Sequence, residues 1–285
     1  MRASRAEIID YIRRRTSALY SAEECGRIAR MTAAALSGDA EAKFLTDPRE
    51  VTDIEGVERA AEELAAGRPV QYVIGETDFC GLSFVVREGV LIPRPETEEL
   101  VMLTERRAAA FGRPRILDVC TGSGCIAVAL GHRIPTAETT ALDISREALE
   151  IARENGRRLG VEVEWIEDDA LGGMARLAGR RFDVIVSNPP YIPRSEMASM
   201  HRNVTGYEPH EALFVDDSDP LAFYRAIARA AVGMLSDGGS LLFEVHERLA
   251  ERTADVLRAE GFADVRIEKD CFGKQRMVCG SKNRR

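Results

Sequence analysis

Several things are scarce in this chain. It has one tryptophan, four histidines and no pair of cysteines at a Cys-x-x-Cys spacing. The six cysteines (Cys25, Cys80, Cys120, Cys125, Cys271 and Cys279) are scattered, and with so few histidines they offer no zinc-site spacing. A metal centre or a disulfide network is therefore not expected, and free, mostly buried thiols in a reducing cytoplasm are. No apolar run approaches the ~20 residues of a membrane span. The opening segment "MRASRAEIIDYIRRRT" mixes Arg and Glu through its apolar positions, which argues against export and for a cytoplasmic chain. Positive charge is outweighed as well: 39 Lys and Arg against 47 Asp and Glu leave a net charge of −8. That argues against a protein that coats nucleic acid by bulk electrostatics, although a local basic patch stays open.

What is present organises into blocks. The 285 residues can bury a full-sized core, in one large domain or two of unequal size. Residues 1–66 space their apolar side chains at three and four, which predicts helices throughout. Ser4 with Glu7 and Ser21 with Glu24 fit capping boxes, and Gly38 and Gly67 sit where helices would stop. We expect a helical domain over 1–69. Residues 70–96, with "TDFCG", "LSFVV" and "GVLIP", predict one or two short strands, or a hairpin, as a linker. From 97 to 285 helical and strand patterns alternate, which predicts an α/β domain with a mostly parallel, doubly wound sheet. The last two strands, "ADVRIEKD" and "QRMVCGS", have no helix between them, so one of the pair should run antiparallel.

Two stretches carry chemistry. In "ILDVCTGSGCIAVAL" the strand-to-helix junction holds Asp118, Gly122 and Gly124, where backbone can approach a ligand and a helix N-terminus favours polar groups. About 20 residues on, Asp143 ends the next strand, where a carboxylate accepts hydrogen bonds from ribose hydroxyls. A tight turn with a capping acid would explain the glycines alone; the order strand, Gly-x-Gly, helix, strand, Asp favours a nucleoside-containing cofactor. The dinucleotide pattern Gly-x-Gly-x-x-Gly is absent, and Asp118 suits an amino-bearing ligand better than a pyrophosphate. This Asp-x-x-x-Gly-x-Gly shape resembles the S-adenosyl-L-methionine site of class I methyltransferases, which yield S-adenosyl-L-homocysteine. Asp169, in "IEDDALG", fits the acid that such enzymes place near the adenine amine.

The second stretch is "SNPPYIPRSE". Pro189 and Pro190 supply no backbone donors and disfavour helix before them, so the strand "FDVIVS" ends in a stiff, extended turn. In an open α/β sheet ligands sit beyond the carboxyl ends of the strands, which puts Asn188 at the cofactor's reactive end. Its side-chain oxygen and the Pro189 carbonyl can accept the N–H bonds of an amide or exocyclic amine, orienting a poorly nucleophilic nitrogen. Tyr191 offers a flat face for a planar group.

"NPPY" looks like the tetrapeptide shared by amino-methyltransferases of adenine, guanine or glutamine amides. Together with "GVLIPRPETEELV", "QYVIGETDFCGLSF", "DVCTGSGCIA" and "YEPHEALF", the chain resembles the PrmC/HemK family, the protein-(glutamine-N5) methyltransferases of peptide chain release factors. The resemblance covers nearly the whole chain. It implies a class I methyltransferase fold, Asn188 as the catalytic residue, and Asn188, Pro189, Pro190 and Tyr191 around the substrate glutamine. It implies Cys120, Thr121, Gly122, Ser123, Gly124, Asp143, Asp169, Ala170 and Asn188 at the cofactor, with Phe79, Arg94, Pro95, Glu96 and Thr97 walling the pocket. The expected partners are class I release factors, docked by the helical domain, with the glutamine in a Gly-Gly-Gln loop; a nucleic-acid amino-methyltransferase is the alternative. Cys80, Ala170 and Val245-His246 depart from the family's usual residues, and His201, His210 and His246 are read as loop or core histidines.

Overall fold

A computed structural model describes residues 1–283. The chain divides into two compact units, residues 1–76 with 200–207, and residues 77–199 with 208–285 as far as described.

In the first unit the helices α1 (Arg5–Thr16), α2 (Ala22–Ser37), α3 (Lys43–Thr46), α4 (Val57–Ala65) and α5 (Val70–Ile74) enclose their own core. Ser4 and Glu7 form the full capping box at α1, whereas at α2 Ser21 accepts from the Glu24 amide. The spacing seen in sequence places Val57, Ala60, Ala61 and Leu64 on one buried face of α4, and Ile8 and Ile12 on that of α1. One expectation fails here. The stretch is not wholly helical, because β1 (Arg2–Ser4) pairs antiparallel with β2 (Val51–Asp53). Three-residue strands show no period, and only the pairing, backed by the Met1 amine donating to the Ile54 carbonyl, makes them strands.

In the linker region, β3 (Glu76–Phe79) and β4 (Leu82–Val85) form the hairpin. "GVLIP" is no strand: the Ile92 amide donates to the buried Glu208 carboxylate, not to a neighbouring strand. The remaining elements are α6 (Pro95–Ala108), β5 (Arg115–Val119), α7 (Cys125–Arg133), β6 (Glu138–Asp143), α8 (Arg146–Leu159), β7 (Glu164–Glu167) and β8 (Phe182–Ser187). They continue with β9 (Ile192–Pro193), α9 (Arg202–Thr205), α10 (His210–Leu213), β10 (Phe214–Val215), α11 (Ala222–Met234), β11 (Leu235–Glu244), α12 (Ala250–Ala259), β12 (Ala263–Lys269) and β13 (Gln275–Ser281).

Seven strands form one sheet in the order β12-β13-β11-β8-β5-β6-β7, parallel except for β13, which runs antiparallel to both neighbours. Ile116, Val184, Val186 and Leu242 face one core, with side chains of α6 and α7. Leu117, Val119, Ile185 and Leu241 face the other, with α11 and α12. This period-two alternation between two covered faces is why the central strands read as continuous apolar runs. The fold is the doubly wound α/β class. Register then sets the site. Val119 pairs with Ser187 on one side and Leu142 on the other, so Cys120, Asn188 and Asp143 leave the sheet side by side. Among the described residues no helix is long and apolar enough to cross a membrane.

Candidate active site at the carboxyl ends of the strands

The turn after β5 is shaped by backbone. Cys120, Gly122 and Gly124 all have positive φ, at 62°, 53° and 80°. A side chain at Cys120 in that region costs roughly 1–2 kcal/mol. A Cβ on Gly124 would lie 2.9 Å from Trp165 and 3.0 Å from Ala152, so glycine is what lets α7 start against α8. A Cβ on Gly122 would meet nothing within 4 Å. Beneath the turn, Asp118 is fully buried. Its Oδ2 accepts from the Thr121 hydroxyl (2.5 Å) and the Ala127 amide (3.2 Å), while Oδ1 has no partner among the described residues. Burial pushes this carboxyl up to about 7 against those two hydrogen bonds. The expectation that Asp118 faces a ligand is corrected: it braces the turn from below and does not line the cavity.

A cavity of about 290 Å³ opens above these strand ends, and all its lining residues belong to the second unit. Asp143 lines it while its Oδ2 accepts from the Gly122 amide (2.8 Å) and its Oδ1 from the Ser145 amide (2.9 Å). Burial raises the Asp143 carboxyl, and those amides pull it down. Each oxygen keeps a further lone pair for a hydroxyl donor. Asp169 lines the wall beyond β7, its carboxylate accepting from the Leu171 amide (2.8 Å), with Ala170 buried beside it.

Asn188, which follows β8, lines the cavity on the other side of β5 from Asp143. Its Nδ2 donates to Thr97 Oγ1 (3.3 Å), Thr97 donates to Glu244 Oε2 (2.7 Å), and the Tyr191 hydroxyl donates to Glu244 Oε1 (3.1 Å). Arg94 donates to Glu208 Oε1 (2.6 Å), whose other oxygen takes the Ile92 amide, so the "IPRPE" loop is clamped along the cavity.

Of the residues singled out in sequence, the cavity gathers Arg94, Thr97, Cys120, Thr121, Gly122, Ser123, Asp143, Asp169, Ala170, Asn188 and Pro190. Gly124, Pro189, Tyr191, Phe79, Pro95 and Glu96 are not among its lining residues. Phe79 packs edge-on to Phe84 in the core under the hairpin. Tyr191 turns from the cavity because its hydroxyl goes to Glu244 and its ring meets His246 edge-on. Among the described residues no histidine lines the cavity. Glu208, Glu244 and the apolar rim of Ile144, Leu171 and Phe223 were missed. The signal for Glu244 was available: it is a single carboxylate closing the apolar run "LLFEVH".

Residues 100–204 match the Methyltransferase small domain family. The release factor glutamine methyltransferase of Flavobacterium psychrophilum is 42% identical over 76% of this chain and 76% of its own length. That of Chlorobaculum tepidum is 43% identical over 78% of each chain. Among solved structures, a methyltransferase from Pyrococcus furiosus shares 20% identity with a TM-score of 0.52, covering 71% of this chain and 90% of its own. A Thermus thermophilus 16S rRNA methyltransferase, solved with AdoMet and guanosine, shares 17% identity with a TM-score of 0.55, covering 73% of this chain and 50% of its own. These two likenesses concern the fold. The chain belongs to the release factor glutamine methyltransferase family.

Proposed function

We propose that this methyltransferase moves a methyl group from S-adenosyl-L-methionine to the side-chain amide nitrogen of a glutamine in the Gly-Gly-Gln loop of a class I release factor. Family membership supports the reaction class. The observation that carries the reading is that Asn188, with Nδ2 committed to Thr97, offers Oδ1 to the same cavity that Asp143 and the glycine turn line.

The residues present fit the cofactor. The space beyond Gly122 is where a Cβ would project, Asp143 keeps lone pairs for ribose hydroxyls, and Ile144 and Leu171 give an exposed apolar rim suited to a purine. When bound, S-adenosyl-L-methionine supplies an electrophilic methyl group on a sulfonium. The chain's part is to present an amide nitrogen whose lone pair is delocalised into its carbonyl. Asn188 Oδ1 and the Pro189 carbonyl each accept one N–H of that nitrogen, which turns its lone pair toward the methyl group. As the nitrogen–carbon bond forms and the sulfur–methyl bond breaks, its electron pair staying on the sulfur of S-adenosyl-L-homocysteine, positive charge grows on the nitrogen and both acceptors strengthen, so they favour the transition state more than the ground state. The extra proton then leaves to water, and no side-chain base is required. Tyr191 contributes by holding the turn through Glu244.

On this reading the separate helical unit docks the release factor, and the chain works in the cytoplasm, in keeping with its six unpaired cysteines. The test is incubation with labelled S-adenosyl-L-methionine and, separately, an unmethylated release factor, DNA and RNA. Label is expected on the release factor and absent when its Gly-Gly-Gln glutamine is changed. Label on nucleic acid with none on release factor would overturn the substrate.

A further inference from the structure

Glu244 is a carboxylate with 1% exposure that follows the apolar run Leu241, Leu242 and Phe243 at the end of β11, and sequence reasoning gave it no role. Two hydroxyls point their protons at it, from Thr97 at 2.7 Å and from Tyr191 at 3.1 Å. The charged and titratable groups that face it are Arg276, Tyr191, Tyr224 and Glu96. Burial, with a smaller push from Glu96, raises the Glu244 carboxyl above the ordinary carboxylate range, against the two hydroxyl donors and Arg276, which hold it down. Tyr224 donates to the Glu244 carbonyl and so fixes the strand end itself.

The polarity of this chain has a consequence at Asn188. A threonine hydroxyl has one proton. With that proton given to Glu244, Thr97 can only accept from Asn188, so the amide must turn Nδ2 toward Thr97. An amide that donates on one side presents its oxygen on the other. Were the hydroxyl free to donate to Asn188, the amide could flip and present N–H groups to a substrate nitrogen that itself needs acceptors. We propose that Glu244 and Thr97 are positioning residues that set the direction of the Asn188 amide, so that Oδ1 and not Nδ2 meets the substrate nitrogen. The same carboxylate anchors Tyr191, three residues on, so both ends of the Asn-Pro-Pro-Tyr turn are tied to one buried group. This inference rests on the proposed acceptor role of Asn188.

The test uses the full chain, an unmethylated release factor and single-turnover methyl transfer at saturating S-adenosyl-L-methionine. Thr97→Val keeps the shape but loses the hydroxyl, and Glu244→Gln keeps the size but lets an N–H face Thr97. Each is expected to slow transfer by about 10–100-fold, part of what losing one preorganised polar group costs. Cofactor affinity by calorimetry should stay within about threefold, and Thr97→Ser should restore most of the rate. The deciding comparison is Thr97→Val in an Asn188→Ala background, where it should slow transfer no further because the residue acts only through Asn188. Wild-type rates in folded Thr97→Val, or an equal slowing with and without Asn188, would overturn the proposal. If Glu244→Gln does not fold by thermal melt, the Thr97 pair and the double variant still decide it. If the unmodified chain labels nucleic acid in place of release factor, the proposed substrate falls. The same rates, measured on the acceptor that takes label, then support or overturn the relay separately.

Discussion

The turns that leave β5 and β8 stand on neighbouring strands at the same level of the sheet, yet they are held in opposite ways. The first is made of backbone: positive φ at Cys120, Gly122 and Gly124, the Thr121 amide bonded to the Leu142 carbonyl, and a carboxylate bracing it from beneath. The second has prolines where donors would be and is held by side chains, from Asn188 through Thr97 to Glu244 and back to Tyr191. A ligand that needs close backbone approach suits the first. A planar nitrogen that needs directed acceptors suits the second. The difference predicts that the β5 turn is most sensitive to volume added at Gly124, whereas the β8 turn fails when one polar atom is removed.

The largest effect should come from the β8 turn. Asn188→Ala is expected to slow single-turnover methyl transfer by on the order of 10²–10³, with cofactor affinity kept within a few fold. Transfer at the unmodified rate by folded protein would reduce Asn188 to a strand terminator and erase the contrast. The β5 turn should answer to volume. Gly124→Ala puts a Cβ 2.9 Å from Trp165 and 3.0 Å from Ala152 at a φ of 80°. The left-handed strain and the overpacking together should lower unfolding stability by about 2–4 kcal/mol in denaturant titrations. An unchanged midpoint would show that α7 and α8 have slack that their packing does not suggest. A smaller effect is expected of Asp143→Ala, which removes a carboxylate that already fixes the Gly122 and Ser145 amides. Calorimetry should show cofactor binding weakened by roughly 1.5–3 kcal/mol; unchanged affinity would take Asp143 out of the cofactor site.

The contrast also explains what was legible in the sequence. The glycines, Asp143 and Asn-Pro-Pro-Tyr are local patterns, and a strand-ending position is enough to aim them at one end of a parallel sheet. The two-faced alternation of Ile116 with Leu117, or Val184 with Ile185, was equally readable as buried strand. What no local pattern carries is a partner far along the chain. Thr97 and Glu244 are 147 positions apart, and Arg94 and Glu208 are 114, so only the assembled sheet reveals them. The direction of Tyr191 is set in the same way, by a carboxylate 53 positions away. Asp118 sits in a recognisable motif, but whether it faces the ligand or the underside of the turn depends on the pleat of β5.

Asp118 gives the smallest effect and the finest test of how the β5 turn is braced. Its carboxyl is pushed up to about 7 by burial, from an ordinary value of 3.8. Between those values the folded chain holds a proton that the unfolded chain has released, so unfolding is favoured as pH rises. The slope is at most about 1.4 kcal/mol per pH unit for one group. Below the ordinary carboxylate range both states are protonated, and well above the raised value both are ionised, so the difference is flat at each end. Asparagine in its place can still accept from the Thr121 hydroxyl and the Ala127 amide, yet it has nothing to titrate. Carboxylates other than Asp143, which is near enough to raise Asp118, titrate alike in both proteins and cancel in the comparison. The stability of Asp118→Asn relative to the unmodified chain should therefore improve by about 1 kcal/mol as pH is raised from about 5.5 to about 6.5. Denaturant titrations of both proteins at the two pH values measure it. Parallel curves would mean that Asp118 is ionised in the fold throughout, and that the turn over it is held by a charged brace and not a neutral one.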